Sequence, residues 1–166
     1  ADYHINLSPG TNVAVLHMLL HFIIKSKLYN AAFVRDRTES FDNFIKEIER
    51  QDVDQLAKVA GVDKQMVKEA AIAYATAKNS MEFHGLGVTE QEQGSKTVML
   101  IADLAMITGN IGRKGVGVNP LRGQNNVQGA ADMGCQPNQG AGYFEVGDEK
   151  NQKFYTEKYG VTHPTK

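Results

Sequence analysis

A single cysteine, Cys135, in 166 residues excludes an intrachain disulfide framework and any zinc or iron–sulfur site built from several thiolates of this chain. An excess of either charge is also missing: 18 Lys and Arg face 19 Asp and Glu, a formal net charge of −1. Nucleic-acid binders carry a basic surplus or stripe, so no phosphate-tracking surface is expected. Long apolar runs are absent too. The longest, Val13 to Ile24, contains His17 and His21 and meets Lys25, well short of the about 20 residues a spanning helix needs. No basic stretch precedes it and no small-residue cleavage pattern follows, so it reads as a buried helix and not a signal peptide. Glycine is scarce in the first half, where only Gly10 and Gly61 precede Gly85, whereas 13 of the 16 lie between Gly85 and Gly147. The first half is therefore expected to be mostly helical. The second should present backbone in tight loops and carry the binding work.

At ~100–200 residues per domain the length allows one domain or two small lobes. Tyr3 to Leu7 alternates and predicts a short strand, and Ser8 to Asn12 a turn into a helix over Val13 to Lys25. Asn30 and Ser40 are candidate caps of helices starting at Ala31 and Phe41, the second with a stripe of Phe41, Phe44, Ile45 and Ile48. Asp52 and Asp63 cap Val53–Ala60, ended by Gly61, and Lys64–Lys78; these two form a helical hairpin with a solvated face, its lysines offset by Asp63 and Glu69. Met81 to His84 reads as a strand, Ser95 as the cap of a core helix to Thr108, and Gly109 to Gly117 as an irregular, mobile connection. Asn119 to Gly134 reads as a dense polar–glycine loop, and Phe154, Tyr155 and Tyr159 as part of a last amphipathic helix ended by His163-Pro164. The expected fold class is α/β: a helix-rich, partial dinucleotide-binding-like layer with a small parallel sheet and Gly/Asn-rich loops. The opening Ala1-Asp2-Tyr3-His4-Ile5, without Met, is expected of a processed protein or an internal piece of a longer one.

Three loops could carry chemistry. Ser8-Pro9-Gly10-Thr11-Asn12 joins strand to helix and suits either a plain N-cap or a grip on a phosphate or nucleobase edge. Gly85-Leu86-Gly87-Val88-Thr89 lets backbone approach a flat or anionic ligand but is not a complete Rossmann fingerprint. Between Arg122 and Gln128, four side-chain amides and one guanidinium fall within seven residues. Such a loop suits a polar heterocycle, with Arg122 as a planar fork for a carboxylate or phosphate. His17 and His21 stand at i, i+4, but Met18 replaces the Glu of a zinc-protease helix, and packed histidines are the reading taken.

The runs Thr108-Gly109-Asn110-Ile111-Gly112, Gly117 through Gly129 and Asp132-Met133-Gly134 resemble the catalytic subunits of molybdenum- or tungsten-dependent formate dehydrogenases, a branch of the molybdopterin oxidoreductase family. The match extends to Ser8–Asn12 and Phe83–Thr89 and weakens after Gly142. The resemblance implies a bis-molybdopterin guanine dinucleotide cofactor carrying Mo or W. Gly10, Thr11 and Asn12 would contact one guanine dinucleotide, Gly85, Gly87, Val88 and Thr89 form another cofactor-contacting turn, and Gly123, Gln124 and Asn125 line the cofactor. Arg122 is the implied catalytic arginine that steers formate. No metal ligand is expected in this chain; the iron–sulfur cluster and the metal-ligating Cys or selenocysteine are expected upstream of Ala1, and Cys135 is read as an incidental thiol. Residues 1–118 would be part of an α/β cofactor-binding lobe, and 119–166 the cofactor-lining loop and the start of the neighbouring lobe. The implied partners are formate, the rest of the same polypeptide and an electron-transfer subunit, with no nucleic acid and no direct membrane insertion. The compartment is left open, cytoplasm preferred to periplasm. The alternatives are another member of the superfamily, such as a nitrate reductase, or a non-catalytic binding module.

Overall fold

Helix α1 (Asn12–Lys25) is apolar on nearly every face, so it folds only where it can be surrounded. It is packed by α3 (Phe41–Glu49), α4 (Val53–Ala60), α5 (Lys64–Thr76) and α7 (Gly94–Thr108). Leu20, Ile23 and Ile24 meet Val34, Ile48, Ala71, Leu100, Leu104 and Ile107 in the largest apolar cluster. Ala14 and Val15 close on Ala60, and Met18 on Ala57 and Val67, so one helix organises all three clusters. The computed structural model describes residues 1–162 and separates into two compact units, one from Ala1 to Leu121 and one beginning at Arg122.

The caps explain most helix starts. The Asn30 side chain accepts from Phe33 N–H at the head of α2 (Ala31–Arg37), Asp52 from Asp54 and Gln55 N–H, and Asp63 from Met66 N–H. Gly61 ends α4 in the left-handed region, as expected. Ser40 precedes α3 as expected but sits at φ 56° and makes no capping bond. Helix α5 stops at Thr76, two residues before the expected end, because the Ser80 hydroxyl takes the Tyr74 carbonyl (2.8 Å) as Ala77 turns extended.

The sheet is parallel, as expected, but its membership differs. Strand β1 (Met81–His84) pairs with β2 (Gly117–Pro120) in the register Met81↔Gly117 to His84↔Pro120. The single turn α6 (Leu86–Thr89) and α7 make the crossover of a βαβ unit. Tyr3–Leu7 is not a strand. Its alternation survives, with Ile5 and Leu7 half-buried against α1 and α4, but no strand edge among the described residues lies beside it to complete a ladder.

Helix α7 begins at Gly94 with Gln93 as its cap, not at Ser95. A Cβ on Gly94 would stand 2.2 Å from the Thr89 carbonyl oxygen, so glycine lets the helix start directly against α6. The connection after α7 is irregular but tied down: Arg113 Nε donates to the Gly109 carbonyl (3.2 Å), Nη2 to Asn110 Oδ1 (2.8 Å), and Nη1 to Asn79.

The polar loop is shorter than Asn119–Gly134. Strand β2 claims its start by pairing with β1, and α8 (Val127–Asp132) claims its end. In the second unit α9 (Glu149–Tyr159) is capped by Asp148 and ended by Gly160 at φ 69°; the expected His163-Pro164 terminus lies outside the described residues. Tyr155 is buried against Phe144, Phe154 and Tyr159 and donates to the Ala141 carbonyl at 2.7 Å. Among the described residues no helix is long and apolar enough to cross a membrane.

His17 and His21 lie half-buried on α1, and each has a buried Nδ1 without a hydrogen-bond partner. Burial holds both imidazoles below their ordinary pKa; against it work Glu47 near His17, and the Ile48 carbonyl and Glu49 near His21, where Lys25 assists burial. The unfolded chain therefore takes up these protons first as pH falls. Their contribution to stability is complete above about pH 6.5 and is lost as pH drops through the lower folded values. Between pH 8 and pH 5.5 the thermal midpoint of the double variant His17→Gln, His21→Gln is expected to fall less than that of the parent, a difference read by paired melting curves.

Candidate functional site

Ligands of open parallel sheets bind outside the carboxyl ends of the strands. Strand β1 delivers Gly85 there, and Leu121 N–H extends the ladder by donating to the His84 carbonyl (2.6 Å). Gly85 is extended, and a Cβ on it would stand 3.3 Å from the Leu121 carbonyl. The next turn closes through Val88 and Thr89 N–H to the Gly85 carbonyl, and the Thr89 hydroxyl reaches the same oxygen at 3.5 Å. Gly87 lies inside this helical turn, is exposed, and has open space where a Cβ would stand. Its φ is outside the left-handed region and no packed neighbour crowds a Cβ there, and glycine in a helix costs about 1 kcal/mol relative to alanine.

The Ser8–Asn12 turn also presents bare backbone. Gly10 is at φ +82° with open space beside it. Thr11 takes the N-cap position of α1, but its hydroxyl donates back to the Ser8 carbonyl (2.6 Å) and makes no side-chain capping bond. An open cleft of about 190 Å³ adjoins the turn, lined by Gly10, Thr11, His17, Gln51, Leu56 and Gln93 among others. Of the site residues expected from sequence, the cleft gathers Gly10 and Thr11; Asn12, Gly85, Gly87, Val88 and Thr89 are not in its wall. Gln93 and Gln51, which sequence reading did not single out, are. Both stand at chain reversals beside helix termini, a placement that tertiary packing alone reveals.

In the second unit Arg122 opens the exposed loop Arg122–Asn126. Its Nη2 donates to Gln128 Oε1 (3.1 Å), and its other guanidinium N–H groups make no hydrogen bond among the described residues. The Gln124 and Asn125 side chains likewise make none there. Asn126, at φ 52°, turns the chain into α8. Gln128 Nε2 donates to Asp132 Oδ1 (3.0 Å) and to the Tyr143 hydroxyl (2.6 Å), and that hydroxyl donates to Asp132. These bonds, the Tyr143 hydroxyl first, hold the Asp132 carboxyl below the usual carboxylate range, and the Asp132 carboxylate raises Tyr143. Tyr143 lay in no sequence motif. Its only signal was the glycine before it, because the turn that brings it to Asp132 is set by backbone conformation.

Among the described residues no group of three or more His, Cys, Asp or Glu side chains is arranged to hold a metal ion, and Cys135 is exposed and unpaired. Gly10 and Gly87 leave open space beside bare backbone in the first unit, and in the second the Gln124 and Asn125 amides make no hydrogen bond among the described residues. The model of one family, described as molybdopterin oxidoreductase, matches residues 1–163, and the chain belongs to that family. It is 44% identical over 161 residues to formate dehydrogenase H of Escherichia coli, covering 97% of this chain and 22% of the relative. It is 43% identical over 148 residues to the F420-dependent formate dehydrogenase subunit alpha of Methanocaldococcus jannaschii, covering 89% of this chain and 22% of that subunit. The chain thus spans about a fifth of the length of these curated relatives. Among solved structures, acetylene hydratase from Pelobacter acetylenicus shares the fold at TM-score 0.67 and 22% identity, over 69% of this chain and 16% of that one.

Proposed function

We propose that the chain is the part of a formate dehydrogenase catalytic subunit that grips the cofactor and orients formate. The identity of 44% to formate dehydrogenase H across 97% of the chain carries this reading. The Arg122-Gly123-Gln124-Asn125-Asn126 run points to the same branch of the family. Residues 1–118 serve as part of an α/β cofactor-binding lobe, and 119–166 as the cofactor-lining loop and the start of the next lobe. The cofactor is bis-molybdopterin guanine dinucleotide with Mo or W. Gly10, Thr11 and Asn12, and Gly85, Gly87, Val88 and Thr89, hold it through backbone and short polar side chains; Gly123, Gln124 and Asn125 hold it in the second unit. The residues fit such a group, since at Gly10 and Gly87 a Cβ would fill the open space a ligand needs.

Two-electron redox chemistry is what the bound, metal-bearing pterin supplies. Formate oxidation releases carbon dioxide, one proton and two electrons. The contribution of the chain is geometric. Formate has almost no surface to bury, so an always-protonated planar fork is an effective way to orient it, and Arg122 has N–H groups unengaged among the described residues. An electron-transfer subunit is the expected partner for the two electrons.

The full-length enzyme is expected to reduce a dye with formate and to yield a guanine dinucleotide pterin on extraction; absence of that pterin overturns the cofactor assignment. The isolated 166-residue chain supplied with cofactor is expected to show no formate-dependent dye reduction, since its described residues hold no metal-ligand set. Gly87→Ala makes a sharper test. In cofactor-free protein the substitution is expected to leave stability unchanged or raise it by about 0.5–1 kcal/mol, through helix propensity. In enzyme made with cofactor it is expected to lower pterin content. Unchanged content removes Gly87 from the cofactor surface.

A further inference from the structure

We propose that Gln128, Asp132 and Tyr143 form a positioning relay that sets the orientation of the Arg122 fork. The inference rests on the reading of Arg122 as the formate-binding group and adds residues that the reading does not contain.

Every proton in the cluster is accounted for. Tyr143 has one hydroxyl proton and gives it to Asp132, and Asp132 as a carboxylate can only accept. The Gln128 amide has two N–H groups; one goes to Asp132 Oδ1 (3.0 Å) and one to the Tyr143 oxygen (2.6 Å). With both donors engaged, the carbonyl end of Gln128 must face the other way, where it accepts from Arg122 Nη2 at 3.1 Å. A flipped amide would turn N–H groups on the guanidinium and a carbonyl on the carboxylate, placing donor against donor and acceptor against acceptor. Asp132 therefore selects the amide orientation that Arg122 requires.

Backbone conformation points the same way. Tyr143 is at φ +65°, uncommon for a bulky residue, and follows Gly142 at φ +77°. Gly142 N–H donates to the Asp132 carbonyl (2.8 Å) and Tyr143 N–H to the Gly140 carbonyl (3.1 Å), so the turn that presents the phenol is anchored to the end of α8. Arg122, Gln128, Asp132 and Tyr143 are all exposed in this chain. Water competes for exposed hydrogen bonds, and each adds little to stability. A four-residue surface network with a left-handed tyrosine is thus poorly explained as a stability device and well explained as an orienting one.

The test uses the full-length enzyme and acetate, a carboxylate whose carboxyl carbon bears no hydrogen. Asp132→Asn and Tyr143→Phe are expected to raise the KM for formate and the acetate dissociation constant, read by calorimetric titration, in parallel by roughly 5- to 30-fold. Over the same variants kcat should change less than the KM, with metal and pterin content equal to the parent. Gln128→Glu is expected to raise both constants further, because its carboxylate draws the fork into an ion pair. Arg122→Gln is the reference. If it raises both constants while Asp132→Asn and Tyr143→Phe leave them unchanged, the relay is wrong and the reading of Arg122 stands. If Arg122→Gln itself leaves both unchanged, relay and reading fall together. If the Asp132 and Tyr143 variants lose metal and turnover in proportion at constant KM, their role is structural and the relay is overturned.

Discussion

Replacing Arg122 by lysine in the full-length enzyme is expected to lower kcat/KM for formate roughly 10- to 150-fold, with bound metal near the parent level. The charge is kept, so long-range attraction survives. What is lost is a planar pair of donors at fixed spacing, which a single ammonium on a flexible stem does not reproduce. A hydrogen bond to a charged group is worth about 1.5–3 kcal/mol, and about 1.4 kcal/mol corresponds to tenfold in rate, which sets the range. Metal content is expected to hold because no described residue cluster ligates a metal, so the substitution leaves the ligand set alone. A bracing role predicts the reverse pattern: cofactor occupancy and stability fall together while turnover per bound metal stays constant. Metal content and turnover measured on one preparation separate the two, and unchanged turnover per metal ends the substrate-binding assignment.

How much of this was legible beforehand depends on whether the information is local. Helices α1, α2 and α4 were readable because their signals are: an apolar run, Asn30 and Asp52 caps, and Gly61 as a left-handed stop. Strand β1 was readable from its apolar and aromatic content. Strand β2 was not, since in Gly117-Val118-Asn119-Pro120 only Val118 favours a strand, and the segment becomes one through its register against β1. Tyr3–Leu7 erred the other way, with correct alternation and no edge to pair with. In the site, the Arg122 loop announced itself through its density of amides. Asp132 and Gln128 stood inside recognisable runs without an assigned role, and Tyr143 joined them only once the φ of the Gly142–Tyr143 turn was known. Local chemistry was visible in the sequence; orientation, which decides what that chemistry does, was not.

The second large effect is expected at Asn110, just after α7. Its side chain is 2% exposed and bonded at both ends. Oδ1 accepts from Ser80 N–H (3.2 Å) and Arg113 Nη2 (2.8 Å), and Nδ2 donates to the Thr108 hydroxyl (2.9 Å) and toward the Tyr74 hydroxyl (3.5 Å). Tyr74 in turn donates to Glu82 on β1, and burial raises both groups above their ordinary pKa. One amide thus ties the end of α7, the end of α5 and the entry to β1, the strand that carries the Gly85 turn. Asn110→Ala removes the acceptor of the half-buried Ser80 N–H and one partner of Arg113, which is exposed and keeps the Gly109 carbonyl and Asn79, and it takes the amide donor from the Thr108 hydroxyl. An unsatisfied buried group costs ~1–3 kcal/mol, and a loss of about 1–3 kcal/mol is expected. Amide hydrogen exchange reads it locally: in the full-length enzyme, protection at Glu82 to His84 should fall by roughly 5- to 150-fold at about 1.4 kcal/mol per decade. Protection in α4, held by its own Asp52 cap, should change little. Asn110→Asp divides the two halves of the amide. It keeps the acceptor for Arg113 and Ser80 but loses the donor to Thr108 and adds charge near Glu82, so its loss should lie between those of the parent and the alanine variant near neutral pH. Equal protection at β1 in all three proteins would show that the strand is positioned by packing and not by this amide.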